Sequence, residues 1–538
     1  MPLKSNEWLV SFDTDKIKNY IFATNNLKEV RGASALLVQE DEKREKLSAE
    51  LVYAAGGGGT LLTDSPEKAD DLIKTIEREF RMATKAATIT AVDLSPSARP
   101  SSNWFGRHMA EAGKKLQRKK SQKGELSLLP VEPYMRLCDS CGHQPAEKRL
   151  EKDPTNDLLC ESCAQKRERG KEERKEGFVT RFSNHVESSK SKFKENWRNQ
   201  ELKLPKDLNA LGELDGGYVG FLYFDGNQMG KLLELMEKEE NYRDFSKELA
   251  STVQKLVFET LIDTYQKPYQ KPSKGKLPFE IVLIGGDDVM LFTTATSAMQ
   301  VAVTFMQRFE EKSESLLNIA GLQQSNLLDR LREEFGKDNM PIDENEPFWK
   351  NRKLTMAAGV VLCHANFPIP ALVEIAERLL KNAKKKCAEN KYEQSAIDFQ
   401  VVTGSAIDLD MIRATVPHCR PYTCSDMDQL LKFVKKFHQE KFPRTQLQMI
   451  YDACHQESRA HGTMATLHTL ARLRERRQRQ LLKDFFINFY PGSKPLIHWP
   501  WTSDDRELKT AFVDLVDLYD FIGKEANHDD INASSNKN

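Results

Sequence analysis

One order of secondary structure, strand, helix, hairpin, helix and strand, is predicted twice along this chain of 538 residues. In the first copy a short apolar strand ends at Asp13, and two apolar runs later flank the glycines of residues 56–59. In the second copy, between about residues 217 and 403, the strand ends at Asp225 and the hairpin is FEIVLIGGDDVMLF, residues 279–292. Alternating strand and helix periodicities predict sheets covered by helices, and an internal repeat predicts two such units.

The two predicted hairpins differ in charge. Alignment on the strand-end aspartates pairs the turn residues of the two copies, Gly56, Gly57, Gly58 and Gly59 with Gly285, Gly286, Asp287 and Asp288. The second copy thus carries three carboxylates where the first carries one. Glycine and aspartate both suit a tight turn, so the difference predicts a chemical role for the acids of the second copy.

Asp225, Asp287 and Asp288 are the predicted catalytic and metal-binding residues. We expect Gly285 and Gly286 at the turn itself, because hairpin turns need positive φ angles there. The two aspartates then follow, and consecutive side chains of a regular strand point to opposite faces. Either a distorted turn brings both acids to one metal, or one binds metal and the other has another task.

Carboxylates next to a phosphate-bearing substrate are typical ligands of Mg²⁺. Two such ions could activate a ribose hydroxyl and neutralise a leaving pyrophosphate in an in-line displacement. Glycines beside the acids would let a nucleotide approach the backbone closely. The alternative is an ordinary turn with solvated aspartates.

Cys138, Cys141, Cys160 and Cys163 form the pattern C-x2-C-x18-C-x2-C. Two such knuckles predict a closed tetrahedral zinc site, and four thiolates leave no open position for catalysis. The Zn²⁺ is therefore expected to be structural. The other five of the nine cysteines are scattered, which indicates reduced thiols rather than a disulfide framework.

Charge and hydropathy exclude several classes of protein. The chain has 80 Lys and Arg against 80 Asp and Glu, so its net charge calls for neither a nucleic-acid nor a membrane partner. No apolar run approaches the roughly 18 residues of a membrane span, and the N-terminal residues lack the pattern of a secretory signal. We expect a cytoplasmic protein.

Several charged segments are interpreted as surface. Residues 104–124 and 165–177 are each expected to form a linker or a surface helix, with a mobile surface loop as a further interpretation of the basic residues from Arg107 to Lys123. Lys384 and Lys385 lie on a helix directly after a strand of the second copy, where a lysine could reach a triphosphate. A cluster near the C-terminus is interpreted as a solvated helix face, with contact to an RNA backbone or a protein neighbour as the alternative: Arg472, Arg474, Arg476, Arg477 and Arg479.

Together these segments resemble a known family, the large subunit of type III CRISPR effector complexes, which has two Palm domains of the nucleotide-cyclase type. The resemblance rests on DTDKIKNYIFATNNLKEVRGAS, the glycine-only hairpin, the four-cysteine insert, FDGNQMG, LIGGDDVMLF, AAGVVLCHANFPIPALVEIAERLLKNAKKK and CRPYT. The Cmr type is more similar than the Csm type.

The resemblance implies an α+β fold of two ferredoxin-like Palm domains, a zinc-binding insert between them and an α-helical C-terminal domain. The predicted boundaries are 1–102 for a degenerate first Palm, 103–210 for the insert, 211–408 for the catalytic second Palm and 409–538 for the helical domain with a disordered tail. Within the first Palm, the helix predicted after the first strand is expected to break near Arg31-Gly32.

The resemblance also implies a function. Target RNA would activate the conversion of ATP, with Mg²⁺ or Mn²⁺, into an adenylate messenger: a cyclic oligoadenylate, or AMP joined to another acceptor such as S-adenosylmethionine. Gly226, Gly285 and Gly286 would shape the nucleotide site around the three catalytic acids. The first Palm would bind a nucleotide at its glycine hairpin, Gly56 to Gly59, without supplying metals.

Implied partners are the small subunit, the backbone and crRNA-end-binding subunits, and through them crRNA and target RNA. Many family members begin with an HD nuclease domain, whereas the sole His-Asp dipeptide here is His528-Asp529. No DNase activity is therefore expected. The alternative function is a catalytically silent scaffold that anchors crRNA and partner subunits; a lone GGDEF-like cyclase and a templated polymerase fit the repeat less well.

Overall fold

The structure is a computed structural model that describes most of the chain. The described residues are 7–44, 46–47, 49–102, 104–123, 134–151, 153, 155–172, 177–189, 204–266, 276–323, 326–336, 339–340, 353–404, 406–456, 458–490, 498–502 and 508–523. His528-Asp529 and the predicted tail lie outside them. The predicted α+β fold is confirmed, while the four domain boundaries stay predictions.

The first unit is an antiparallel sheet with the strand order β2-β3-β1-β4. Its elements are β1 (Trp8–Thr14), α1 (Ile17–Ile21), α2 (Leu27–Arg44), β2 (Glu50–Ala55), β3 (Gly58–Thr63), α3 (Pro66–Thr84), β4 (Ile89–Leu94), a 3₁₀ turn (Pro96–Ala98) and α4 (Phe105–Gln122). The sequence sets the start of α3, because Ser65 caps the Lys68 amide and Pro66 occupies the first turn.

The cysteine-containing segment follows the first unit. It consists of β5 (Lys148–Arg149), β6 (Leu158–Leu159), α5 (Glu161–Glu172) and α6 (Phe178–Ser188). Residues 165–172 of the predicted linker or surface helix 165–177 belong to α5 and are partly buried, whereas residues 173–176 lie outside the described residues. Helix α5 packs on α2, and Arg167, only 2% exposed, bonds the buried Glu29. Mixed charge misled the prediction because the charges pair with each other inside the protein.

The second unit repeats the first and extends it. Its elements are α7 (Leu208–Gly212), β7 (Tyr218–Gly226), α8 (Met229–Glu234), α9 (Glu239–Tyr265), β8 (Phe279–Gly285), β9 (Asp288–Thr294), α10 (Ala295–Glu311), α11 (Ser313–Ile319), α12 (Leu327–Phe335), β10 (Met356–His364), α13 (Ile369–Glu389) and β11 (Ala396–Val402). The antiparallel strands β8-β9-β7-β10 follow the order of β2-β3-β1-β4. Helix α13 then connects β10 to the parallel strand β11.

The C-terminal region is helical, as predicted. It contains α14 (Leu409–Arg413), β12 (Tyr422–Thr423), α15 (Cys424–Gln439), α16 (Arg444–Cys454), α17 (Arg459–Arg472), α18 (Arg476–Phe489) and α19 (Ala511–Tyr519). Strand β12 extends the second sheet beside β11. Arg420 joins this region internally through Asp514 at 2.7 Å. None of the helices in the described ranges is long and apolar enough to cross a membrane.

The repeat extends to irregular details of the backbone. The hairpin register shifts between Leu51 and Tyr53 in β2, and between Ile281 and Leu283 in β8. Each shift is a bulge at the same place in its hairpin. Because bulges redirect the strand that carries them, the two turns leave their sheets in the same way, and the two hairpins can be compared residue by residue.

Of the interpretations given for the basic segment from Arg107 to Lys123, the structure has the helix, α4 (Phe105–Gln122), and the mobile loop is wrong. Lysines at every fourth position lie on one side of this helix and bond the carbonyl oxygens of the edge strand β4: Lys115 to Asp93 (2.7 Å), Lys119 to Ala91 (2.8 Å) and Lys123 to Ile89 (2.9 Å). The helix thereby covers an edge that would otherwise present unpaired carbonyls. The N-terminal turns of this same side are buried, with Met109 and Ala112 in the core.

The predicted helix break near Arg31-Gly32 is also wrong. The break lies between α1 and α2, and Gly32 is inside α2. A Cβ on Gly32 would lie 1.8 Å from the carbonyl oxygen of Lys166. Glycine is therefore needed at this position for the close packing of α5, rather than to end a helix.

The two units touch through their hairpin turns. A Cβ added to Gly285 would lie 2.9 Å from the Cα of Gly56, so the turns meet backbone to backbone. Beside them, Arg31 of α2 forms a bidentate ion pair with Glu280 of β8, with both distances 2.7 Å and both side chains under 5% exposed. One apolar core runs from the first sheet to α13.

Candidate active site

The acidic hairpin of the second unit has its turn one residue later than predicted. Gly285 pairs with Asp288, so the two turn residues are Gly286 and Asp287, not Gly285 and Gly286. Gly286 has a φ of 72°, in the region that favours glycine. Because Asp287 lies in the turn rather than on the strand, it is not bound to the alternation that would separate it from Asp288.

The turn brings all three predicted acids together. The side chain of Asp287 lies against Gly226, where a Cβ would be 2.8 Å from its Oδ2 atom. In addition to burial, Asp225 at the end of β7 is close enough to raise the pKa of both Asp287 and Asp288. Of the two geometries open from the sequence, the structure has the one in which both hairpin acids face Asp225. Gly226 provides the room for this arrangement.

Burial and mutual repulsion make the acids hold protons more tightly. Burial raises the pKa of Asp287 to about 6, and the charge of Asp225 adds to the effect. Burial also raises the pKa of Asp288 well above its usual value, again with Asp225 and Asp287 contributing. Burial and the neighbouring carboxylates thus both disfavour the charged forms of Asp287 and Asp288 unless a cation binds there.

The residues fit a divalent cation. The Oδ1 atom of Asp288 is buried and has no hydrogen-bond partner among the described residues. A buried carboxylate oxygen without a partner is costly unless something binds it. Three converging carboxylates of this kind are suitable ligands for Mg²⁺ or Mn²⁺.

Two lysines approach the acids from different elements. Lys384 of α13 forms an ion pair with Asp225. Lys18 of α1, which belongs to the first unit, forms an ion pair with Glu377 of α13 at 2.9 Å. Lys385, predicted beside Lys384, is exposed and lies about 100° further round the helix. Of the two predicted lysines, the structure brings only Lys384 to the acids.

The corresponding place in the first unit carries a lysine and no hairpin acid. Asp13 pairs with Gly58, and the turn residues are Gly56 and Gly57, both with positive φ. The predicted alignment was therefore shifted by one: Gly57 and Gly58, not Gly58 and Gly59, match Asp287 and Asp288. Lys120 of α4 contacts Asp13 at 2.6 Å.

Gly59 has a different environment from the turn glycines. A Cβ there would lie 2.5 Å from the ring of Phe12 and 2.6 Å from the carbonyl oxygen of Tyr53. Packing of β3 against its own sheet therefore explains this glycine. Its predicted contact with a nucleotide stays a prediction, as do those of the other glycines.

The four predicted zinc ligands lie together. The Sγ atoms of Cys138, Cys141, Cys160 and Cys163 are all within 4.8 Å of one another. The Sγ atoms of Cys141 and Cys160 are 3.9 Å apart, close to the roughly 3.8 Å expected for two thiolates on one tetrahedral zinc. The set fits a structural Zn²⁺ and leaves no position open.

Lys18, Glu377 and Lys120 were missed by the sequence analysis. The spacing of Lys115, Lys119 and Lys123 gave a usable signal for α4, because residues four apart share a helix face. No comparable signal marked Lys18. Its role depends on how the two units pack, which no local pattern encodes.

Comparisons with known proteins agree with this geometry. Residues 218–393 match the family model described as Cas10/Cmr2, second palm domain. No curated protein sequence matches the chain. Solved structures similar in fold include the Csm1-Csm4 cassette in complex with cA4, with a TM-score of 0.52 and 13% identity over 96% of this chain and 70% of that chain.

Two further structures extend the comparison. The Csm1-Csm4 cassette in complex with AMPPNP has a TM-score of 0.51 and 14% identity, and covers 97% of this chain and 70% of that chain. Csm1 in T.onnurineus has a TM-score of 0.52 and 14% identity, and covers 96% and 69%. At these identities the likeness is one of fold.

The fold and the three converging carboxylates define the second unit as a Palm of the nucleotide-cyclase type. Its segment of residues 218–393 is the one that matches the model of the Cas10/Cmr2 second palm domain. The resemblance to the large subunit of type III CRISPR effector complexes is thereby confirmed. We refer below to the two units as the first Palm and the second Palm.

Proposed function

We propose that this chain is the nucleotidyltransferase of a type III CRISPR effector complex and makes an adenylate messenger from ATP when target RNA binds. The observation that carries the proposal is the convergence of Asp225, Asp287 and Asp288 at one turn, with a buried Asp288 oxygen that lacks a partner. An ordinary solvated turn would not bury acids against one another.

The reaction is an attack by a ribose hydroxyl on the α-phosphorus of ATP. The new oxygen–phosphorus bond forms as the bond to pyrophosphate breaks, and the proton of the attacking hydroxyl passes to solvent water. Divalent ions, when bound, supply charge neutralisation and activate the hydroxyl. Asp225, Asp287 and Asp288 would hold them and fix their position at the mouth of the turn.

Lys384 has a separate task in this proposal. Its present partner, Asp225, is also a proposed metal ligand. When Asp225 binds metal, the Lys384 ammonium loses part of its attraction to that carboxylate and can turn to a phosphate oxygen. An ammonium within reach of a triphosphate is a common phosphate ligand.

The first Palm would bind the second substrate at the turn of residues 56–57. Its bare glycines leave room for a base or ribose close to the backbone, and the contact of Gly56 with Gly285 puts the two turns side by side. The second substrate is another ATP or a different acceptor such as S-adenosylmethionine, and the product is then a cyclic oligoadenylate or an AMP adduct.

The solved relatives in the Csm1-Csm4 cassette support a place for this chain beside other type III subunits. We propose the small subunit, the backbone subunits and the crRNA-end-binding subunit as its partners, with crRNA and target RNA held by the complex in the prokaryotic cytoplasm.

The test uses the assembled complex with its guide and a matching RNA. α-Labelled ATP is supplied with Mg²⁺ or Mn²⁺, with and without S-adenosylmethionine, to the wild type and to Asp287→Ala/Asp288→Ala. The control is Asp64→Ala/Asp70→Ala, which removes two exposed acids of the first Palm. We expect adenylate products that need target RNA, persist in the control and disappear in the hairpin variant.

Product formed by the hairpin variant at the wild-type rate would contradict the proposal. Absence of product from the wild type, with RNA binding intact, would favour the scaffold function instead.

A further inference from the structure

Lys18 lies on the first Palm but contacts two residues of the second Palm, Glu377 and Tyr223. It is in α1, directly after the strand that ends near Asp13, and its Nζ atom is 2.9 Å from Glu377 of α13. The same Nζ atom lies 4.6 Å above the ring of Tyr223. Tyr223 precedes Asp225 by two residues on β7, so the two side chains lie on the same face of the strand.

The contacts of Lys18 place it beside the acids. Its Nζ atom contacts both Glu377 of α13 and the ring of Tyr223, and Asp225 follows Tyr223 on the same face of β7. The Lys18 ammonium is therefore a positive charge on the first Palm that faces the negative site of the second.

The second Palm has no lysine at the position equivalent to Lys18 of the first Palm. Lys16 and Gln228 both have left-handed backbone angles directly before α1 and α8, so the two helices begin at equivalent places. Two residues further on, the first Palm has Lys18 and the second has Gly230. The second Palm thus presents no side chain at the position from which the first presents a lysine.

The partner that holds Lys18 is a weak one. The side chains of Lys18 and Glu377 are 31% and 43% exposed, and ion pairs with this much solvent contribute little to stability. Glu377 is also not among the three converging acids. The ammonium can therefore leave Glu377 for a stronger anion at little cost in stability from the lost ion pair.

We propose that Lys18 is a phosphate ligand that the first Palm delivers to the nucleotide bound at the Asp225, Asp287 and Asp288 site. The class of ligand is a nucleoside triphosphate, whose charge exceeds that of a single carboxylate. The consequence is that the second Palm binds its substrate fully only while the first Palm is docked against it. This inference rests on the proposed function and names a residue that completes the same site from outside the second Palm.

The experiment compares Lys18→Met, Lys18→Arg and wild type in the assembled complex with target RNA. Lys68→Met is the matched control, because Lys68 pairs with Asp64 on the exposed face of α3. Loss of a charge-assisted contact to phosphate predicts a 10- to 100-fold lower kcat/KM for ATP in Lys18→Met. Lys18→Arg should recover most of it, since arginine also binds phosphate, and Lys68→Met should match wild type.

A binding measurement keeps the inference independent of turnover. Equilibrium dialysis of the full chain with α,β-methylene-ATP and Mg²⁺ should give a similarly weakened Kd for Lys18→Met, while its melting temperature stays at the wild-type value. Glu377→Gln, which removes the competing carboxylate, should not weaken binding.

The outcomes separate this inference from the proposed function. Wild-type kcat/KM and Kd in Lys18→Met, with activity still lost in Asp287→Ala/Asp288→Ala, would overturn the role of Lys18 and leave the proposed function intact. Equal loss in Lys18→Met and Lys18→Arg with a lowered melting temperature would also overturn it, in favour of a structural role. If the wild type makes no product, the proposed function fails, and an unchanged Kd in Lys18→Met would then overturn this inference separately.

Discussion

The two Palms have the same frame but a different charge at the same place. In both, the helix that follows the fourth strand supplies a lysine to the strand-end aspartate: Lys120 to Asp13, and Lys384 to Asp225. In the first Palm the neighbouring turn positions are glycines, and the aspartate and lysine balance. In the second, Asp287 and Asp288 add two carboxylates to the same frame.

This difference shows how a duplicated unit can divide its tasks. The bulge, the strand order and the backbone bond at the strand end are retained in both copies; for example, Asp15 bonds Thr88 as Asn227 bonds Thr355. At the turn itself, the copies differ in the groups that set its charge. The frame needs a turn at this place, whereas the chemistry needs acids in just one copy.

The largest difference between the two Palms is expected when the strand-end carboxylate of each is removed in a separate variant. Asp225→Asn removes a proposed metal ligand and should lower product formation in the assembled complex about 10³-fold, equivalent to about 4 kcal/mol of activation free energy. Asp13→Asn should change it by less than about 3-fold. Labelled-ATP turnover measures both, and equal losses would remove the distinction between the two Palms.

The next effect concerns the contact that holds the Palms together. Arg31→Met leaves Glu280 buried without its bidentate partner, and breaking such a pair costs about 3 kcal/mol or more. We expect a clearly lower urea midpoint for the full chain. Lys68→Met, which breaks a pair exposed by 63% and 60%, should leave the midpoint unchanged; a wild-type midpoint in Arg31→Met would mean that the Palms do not depend on this pair.

A smaller effect is expected where the turns meet. Gly285→Ala puts a Cβ 2.9 Å from the Gly56 Cα, and overpacking of this kind costs about 2 kcal/mol. Gly230→Ala is the control, because a Cβ there meets no atom within 4 Å. Thermal unfolding should show destabilisation in Gly285→Ala alone, and an equal shift in both variants would argue against contact between the turns.

The smallest effect is expected at the balanced pair of the first Palm. Lys120→Met leaves Asp13 without its ammonium partner, but Asp13 is 54% exposed and water can solvate it. We therefore expect the free energy of unfolding to fall by less than about 1 kcal/mol and turnover to stay at the wild-type value. Lys384→Met, by contrast, should lower turnover at least tenfold through loss of a phosphate ligand. Equal turnover in the two variants would show that the pairs have the same role in both Palms.

The sequence was sufficient for the frame and for the identity of the acids. Apolar periodicity predicted the sheets. The position of Asp225 relative to the GGDD turn identified the acids, and the CxxC spacing predicted the cysteine cluster that the structure shows. The sequence could not fix the hairpin register. The predicted turn was one residue too early, because Gly285 is still paired with Asp288 in the structure. From the sequence alone, the adjacent glycines suit either register of the hairpin.

The charged helices were harder to place. In α4 and α5, lysine and arginine side chains pair with acids and carbonyls of other segments, as Arg167 does with Glu29. Composition alone cannot distinguish such a helix from a solvated one, because the partners lie far away in sequence. The same reason hides Lys18, whose surroundings form only when the two Palms pack.

Binding of Mn²⁺ to the purified full chain, followed by electron paramagnetic resonance, tests most directly whether the metal-binding carboxylates belong to the second Palm alone. We predict that Asp225→Asn weakens Mn²⁺ binding at least tenfold, that Asp287→Ala/Asp288→Ala abolishes it, and that Asp13→Asn binds as the wild type does. Weakened binding in Asp13→Asn, or wild-type binding in Asp225→Asn, would contradict the account.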